Sequence, residues 1–162
     1  MAYAEILAVF TPVMDQRVLA AVMAMGGCKG RVILTSGGSL GVLDDTSDEM
    51  AARVGQVVSN FVKEMPVVVL DRRDGQISAV QWLQGVRGQS LPPGLALDSA
   101  PGVVLTLLSG SQEFDEVAGL HEDKVADARM SKWQAFRSLR AIAKDARGRM
   151  ASGPAEDGSQ QG

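Results

Sequence analysis

The sequence predicts an α+β domain, built on one mainly antiparallel five-stranded sheet with helices and a long C-terminal helix. Three observations carry this. Two stretches repeat apolar residues at helical spacing between recognisable start and stop signals, five short β-type runs are separated by Gly-, Pro- and Asp-rich turns, and a basic stretch near the end is helical in composition. At 162 residues, with 46% hydrophobic and 22% charged side chains, the chain has the make-up of one ordinary domain. Residues 1–150 are assigned to that domain and residues 151–162, "ASGPAEDGSQQG", to a disordered tail.

Residues 2–10, "AYAEILAVF", are apolar enough to pack but too short to classify, and are taken as a helical lead-in. Thr11-Pro12 offers a capping hydroxyl and a proline at a first helical position, and Met14, Val18, Val22 and Met25 follow at helical spacing before Gly26-Gly27 stops the helix. Residues 31–35 and 40–43 are β-type runs joined by Ser36-Gly37-Gly38-Ser39, which predicts a hairpin with Ser39 in a solvent-facing turn. Thr46 and Glu49 form a capping-box pattern that opens a second helix, striped by Met50/Ala51, Val54, Val58, Phe61, Val62 and Met65 and ended by Pro66. Three further runs, 67–70, 77–83 and 103–108, are expected as strands, with a weaker one at 95–97. Residues 71–75 and 100–102 are the turns between them, and 86–93, "VRGQSLPP", is expected to be a loop. From 122 to 150 the composition is helical, with Val125, Ala128, Met130, Trp133, Phe136, Leu139 and Ala143 as candidate buried positions.

Charge is distributed unevenly. Residues 1–123 hold 8 Lys and Arg against 15 Asp and Glu, whereas residues 124–149 hold 8 against 2. The basic end has two readings: a helix that packs Trp133 and Phe136 on the sheet and solvates its charges, or a docking surface for acidic lipid or an acidic partner through Arg137, Arg140, Lys144 and Arg147. An acidic body with 4% aromatic residues argues against nucleic acid. One cysteine, Cys28, a start without a basic leader region and apolar runs shorter than the ~20 residues of a spanning helix predict a cytosolic protein that meets membrane only through partners.

Gly37-Gly38-Ser39-Leu40-Gly41 spells G-x-S-x-G, the pattern of a hydrolase nucleophile elbow, and one histidine, His121, follows downstream. An elbow needs a helix directly after the serine, and here Val42-Leu43 continue a strand. A hairpin without catalysis is therefore expected, a small serine hydrolase using Ser39 being the alternative. No phosphate loop is present, and one His with one Cys leaves no metal set beyond the carboxylates Asp44, Asp45, Asp48 and Glu49, which suit a helix N-terminus. Neither cofactor nor metal is expected.

Residues 26–62 resemble the roadblock family of small α+β proteins, in the helix ending at Gly26-Gly27, the strand Val32-Ile33-Leu34, the turn Gly38-Ser39-Leu40 and the helix carrying Ala52-Arg53-Val54 and Val58-Ser59-Asn60-Phe61. Within that family the similarity is to the Ragulator-type branch. The resemblance implies a roadblock/longin/profilin-like fold and a non-enzymatic scaffold that dimerises with itself or another roadblock-type subunit. It further implies binding of a small GTPase of Rag or Ras-like type, with cytoplasmic placement at the surface of late endosomes or lysosomes. Other branches would make it a bacterial-type homodimer that activates a Ras-like GTPase, or a dynein light chain. Carried onto this chain, the dimer interface is Met50, Ala51, Val54, Val58 and Phe61 of the second helix with Ile77, Ala79, Gln81 and Leu83 of the following strand. On that reading a charge at Val58 prevents association and leaves the chain folded.

Overall fold

A computed structural model describes residues 5–92, 102–109 and 114–161. In chain order these form β1 (Ile6–Thr11), α1 (Gln16–Met25), β2 (Gly30–Thr35), β3 (Gly38–Leu43), α2 (Asp48–Phe61), β4 (Val67–Arg73), β5 (Gln76–Leu83) and β6 (Val86–Leu91). There follow α3 (Gly102–Ser109), α4 (Phe114–Leu120), a 3-10 turn (Glu122–Lys124), β7 (Val125–Asp127) and α5 (Lys132–Gln161). The sheet has seven strands rather than the five expected, in the order β6-β5-β4-β1-β3-β2-β7, with every neighbouring pair antiparallel.

Two apolar clusters lie on opposite faces of this sheet. Leu7, Val9, Val32, Val67, Val69 and Trp82 meet α1 and α2, whereas Ala8, Ile33, Leu40, Leu70 and Ala79 meet Val104, Leu107 and Leu108 of α3 and Phe114 and Val117 of α4. Alternation along each strand feeds both layers, which is why the central strand β1 is apolar from Ile6 to Phe10. Across the outer side of α1 lies α5, through Ala21, Ala24 and Ala135, whose small side chains let the two helices approach closely.

Several expectations are corrected. Residues 6–11, read as a helical lead-in, are the central strand β1, paired with both β3 and β4. The first helix starts later than Thr11-Pro12: Thr11 closes β1 opposite Ser39, and Asp15 is the cap, its carboxylate accepting from Arg17 N at 3.0 Å. The second helix is capped by Ser47, whose Oγ accepts from Met50 N at 3.2 Å, while Thr46 Oγ1 donates to Glu5 Oε2 at 3.0 Å. Within 71–75 only Asp74-Gly75 turns the chain, both with positive φ as a two-residue hairpin requires.

Residues 103–108, expected as a strand, belong to α3, and the expected loop at 86–93 contributes β6. The weak strand at 95–97 lies outside the described residues. Residues 122–127, expected to begin the last helix, form the 3-10 turn and β7, and Ala128 N then donates to Gly30 O at 2.8 Å. Helix α5 runs through 151–161, where a disordered tail was expected; Gly153 and Pro154 are poor helix formers, and the sequence offers no physical account of this.

Candidate interaction surface

Ser39 sits in β3, not in a turn, and is fully buried. The β2–β3 hairpin turns at Ser36-Gly37, because Thr35 pairs with Gly38 and the Thr35 hydroxyl donates to the Gly38 carbonyl at 2.7 Å. Ser39 Oγ donates to the Val13 carbonyl at 2.6 Å, so its hydroxyl satisfies the chain leading from β1 into α1. Strand β3 then continues to Leu43, which leaves no helix at the position an elbow requires. His121 is exposed beside the 3-10 turn.

The residues assigned to a dimer seam do not share one surface. Met50, Val54 and Val58 of α2 are buried in the chain's own core against the sheet, with Val54 and Val58 wholly inaccessible. Ala79 is buried on the opposite face of the sheet under α3 and α4, with Ile77 half-buried beside it. Ala51 and Gln81 are half-buried, and only Phe61 and Leu83 are well exposed, at 51% and 46%. A stripe that covers a sheet face and one that covers a partner have the same 3.6-residue period, so spacing alone could not separate them.

Phe61 and Leu83 nevertheless lie at one end of the domain, together with Met65 (40% exposed), expected on the helical stripe but lying past the end of α2 at Phe61, and Val86 (66% exposed), which spacing did not single out. The β5–β6 hairpin brings them there. Gln84 and Gly85 turn the chain with positive φ, and the turn docks on the end of α2 through Gly85 N donating to Ser59 Oγ at 2.9 Å and Gln84 Nε2 donating to the Lys63 carbonyl at 3.3 Å. The positive φ of 80° at position 85 favours glycine, and a Cβ there would also displace the Asn60 side chain. Leu83 pairs with Val86 across the turn, and β6 then runs along the margin of the sheet with residues 86–90 exposed. Among the described residues no strand pairs with its outer side.

Between α2 and the β4–β5–β6 end of the sheet lies a cleft of about 490 Å³, lined by Asp48, Asp71, Ser78, Trp82, Arg87 and Ser90 among others. Its two acids are already engaged: Arg73 reaches Asp48 at 2.9 Å and Asp71 at 3.5 Å, and donates to the Thr46 carbonyl at 2.6 Å. Trp82 closes the floor against α2 where Gly55 leaves room for the ring. Among the described residues no cluster of His, Cys, Asp and Glu could hold a metal ion.

On α5 the exposed and packed faces are distinct. Ala135 is buried and Ser138, Leu139 and Ile142 are half-buried, whereas Trp133 and Phe136, expected to pack on the sheet, are 66% and 43% exposed. Arg137, Arg140 and Lys144 are exposed with them, and Arg140 lies over the Phe136 ring at 5.9 Å. The side chain of Arg147, the fourth basic position expected here, lies outside the described ones. The helix is approached through Arg129, whose guanidinium grips Asp44 by two hydrogen bonds of 2.8 Å and holds that carboxyl below its ordinary range.

No family model, curated protein or solved structure matches the chain. The fold defines an α+β protein with one antiparallel sheet and a long C-terminal helix, and no helix among the described residues is long and apolar enough to cross a membrane.

Proposed function

We propose that the chain is a non-enzymatic interaction subunit that pairs with a second chain of the same fold along β6. The observation that carries this is the outer margin of β6, with which no strand pairs among the described residues, flanked by the exposed apolar side chains of Phe61, Met65, Leu83 and Val86. Open backbone donors and acceptors beside apolar side chains are the two ingredients of strand addition. The narrower reading, a roadblock/longin/profilin-like scaffold that presents its joined surface to a Rag or Ras-like GTPase at late endosomes or lysosomes, rests on the resemblance of residues 26–62. A bacterial-type homodimer or a dynein light chain would differ in the third partner.

The test is the mass of the purified chain by light scattering, run beside affinity capture of the tagged chain from its native extract. Wild type should be a dimer or should retain one stoichiometric partner of similar size. Leu83→Glu with Val86→Lys should lose that association with an unchanged circular dichroism spectrum, because both positions are exposed in the single chain. Wild type that stays monomeric and partnerless, or a double variant that still assembles, overturns the pairing. Capture of a GTPase that depends on assembly would support the narrower reading.

A further inference from the structure

The outward face of α5 combines two properties that seldom occur together on a solvated helix. Positions 133, 136, 137, 140 and 144 follow one another at three- and four-residue steps, so Trp133, Phe136, Arg137, Arg140 and Lys144 share one face, opposite the Ala135, Leu139 and Ile142 side that meets α1. The two rings stack with centroids 6.2 Å apart. Between Lys132 and Arg149 there are six basic residues and one acid, Asp145. The spacing in sequence continues the basic series to Arg147.

We propose that this face of α5 docks the protein on an anionic phospholipid surface. A bilayer interface takes indole and phenyl rings at the headgroup level, and long basic side chains beside them reach the phosphates while their stems cover apolar surface. An acidic protein partner would have to offer a matching pocket for each ring, whereas a bilayer interface accepts rings and basic side chains along its whole surface. The charge of the remainder fixes the orientation: residues 1–123 carry 15 acids against 8 bases, so an anionic surface repels the body and attracts this helix face alone. The pairing margin at β6 belongs to a different element, so membrane docking and pairing are separable properties of the chain.

The experiment is co-sedimentation of the full chain with phosphatidylcholine vesicles prepared with and without phosphatidylserine. Binding should require phosphatidylserine and weaken as salt is raised. Each basic residue near an anionic surface changes affinity about fivefold, so Arg137→Gln/Arg140→Gln/Lys144→Gln should weaken binding on the order of 100-fold. Trp133→Ala/Phe136→Ala should also weaken it, and in wild type Trp133 emission should shift to the blue and be quenched by lipids brominated on the acyl chain. As a control, Arg53→Gln/Lys63→Gln removes two exposed charges elsewhere and should leave binding unchanged. All variants are at exposed positions, so their melting midpoints should match wild type. Absence of vesicle binding overturns the proposal, as does binding indifferent to the aromatic variant, equal weakening by the control, or capture by nucleic acid or an acidic protein in place of vesicles.

Discussion

Replacing Val58 tests where α2 directs its apolar stripe. The side chain is wholly inaccessible, packed with Val54 in the cluster that α2 shares with Leu7, Val67 and Trp82. Val58→Ala removes two methyl groups, each worth about 0.8 kcal/mol of transfer, and leaves a cavity, for a total cost of about 2–3 kcal/mol. Val58→Glu loses the same contacts and places an unpaired carboxylate where none of the cluster can meet it, at several kcal/mol more. Against a stability of ~5–15 kcal/mol for a domain of this kind, the glutamate removes most or all of it. Urea denaturation followed by circular dichroism should therefore show a folded alanine variant with a lowered midpoint and unchanged slope, and a glutamate variant that is largely unfolded in buffer. Phe61→Glu, three residues on at an exposed site, should stay within ~0.5 kcal/mol of wild type. A Val58→Glu protein that folds with the wild-type midpoint would refute this reasoning and turn the stripe of α2 outward.

Ser39→Ala should cost about 1–3 kcal/mol in the same assay, because it strands the Val13 carbonyl, and a fluorophosphonate probe should leave wild-type Ser39 unlabelled; stoichiometric labelling would contradict the burial. Burial pushes the Cys28 thiol up to about 11 from 9.0, so the unfolded thiol ionises first: stability should be full below pH 9 and fall as pH rises from 9 to 11, relative to Cys28→Ala. Equal pH profiles for the two proteins above pH 9 would exclude that linkage. Gly55→Ala gains about 1 kcal/mol of helix propensity but puts a methyl 2.5 Å from the Trp82 ring, and net destabilisation of about 1–2 kcal/mol should be relieved in the double variant with Trp82→Phe; purely additive effects would separate the two sites.

Local signals were readable where they are self-contained. The hairpin of β2 and β3, the stop at Gly26-Gly27 and the Asp74-Gly75 turn each follow from residues in contact along the chain. What escaped depends on neighbours distant in sequence. The run at β1 has no alternation because both faces of the sheet are covered, and residues 103–108 are as apolar as a buried strand but cover the second face as α3. The polar residues of β6 reach strand geometry through pairing with β5, not through any pattern of their own. The candidate surface was legible in part for the same reason. Phe61 and Leu83 were identified, but their association with Met65 and Val86 depends on a hairpin whose second strand resembles a loop in sequence. Trp133 and Phe136 were read as core residues, whereas α1 is met instead by the small Ala135.

The placement of β1 makes the sheet divisible. β1 hydrogen-bonds to β3 on one side and β4 on the other, and the remaining strands form two antiparallel blocks, β7-β2-β3 and β4-β5-β6, that adjoin only through it. Removing residues 6–11 opens an apolar slot between the blocks, lined by Leu40, Leu70 and Val69, which Ala8 and Val9 otherwise fill. Cut between Thr11 and α1, the chain is expected to lose the join between the blocks and to regain it when the six-residue strand is supplied as a separate peptide.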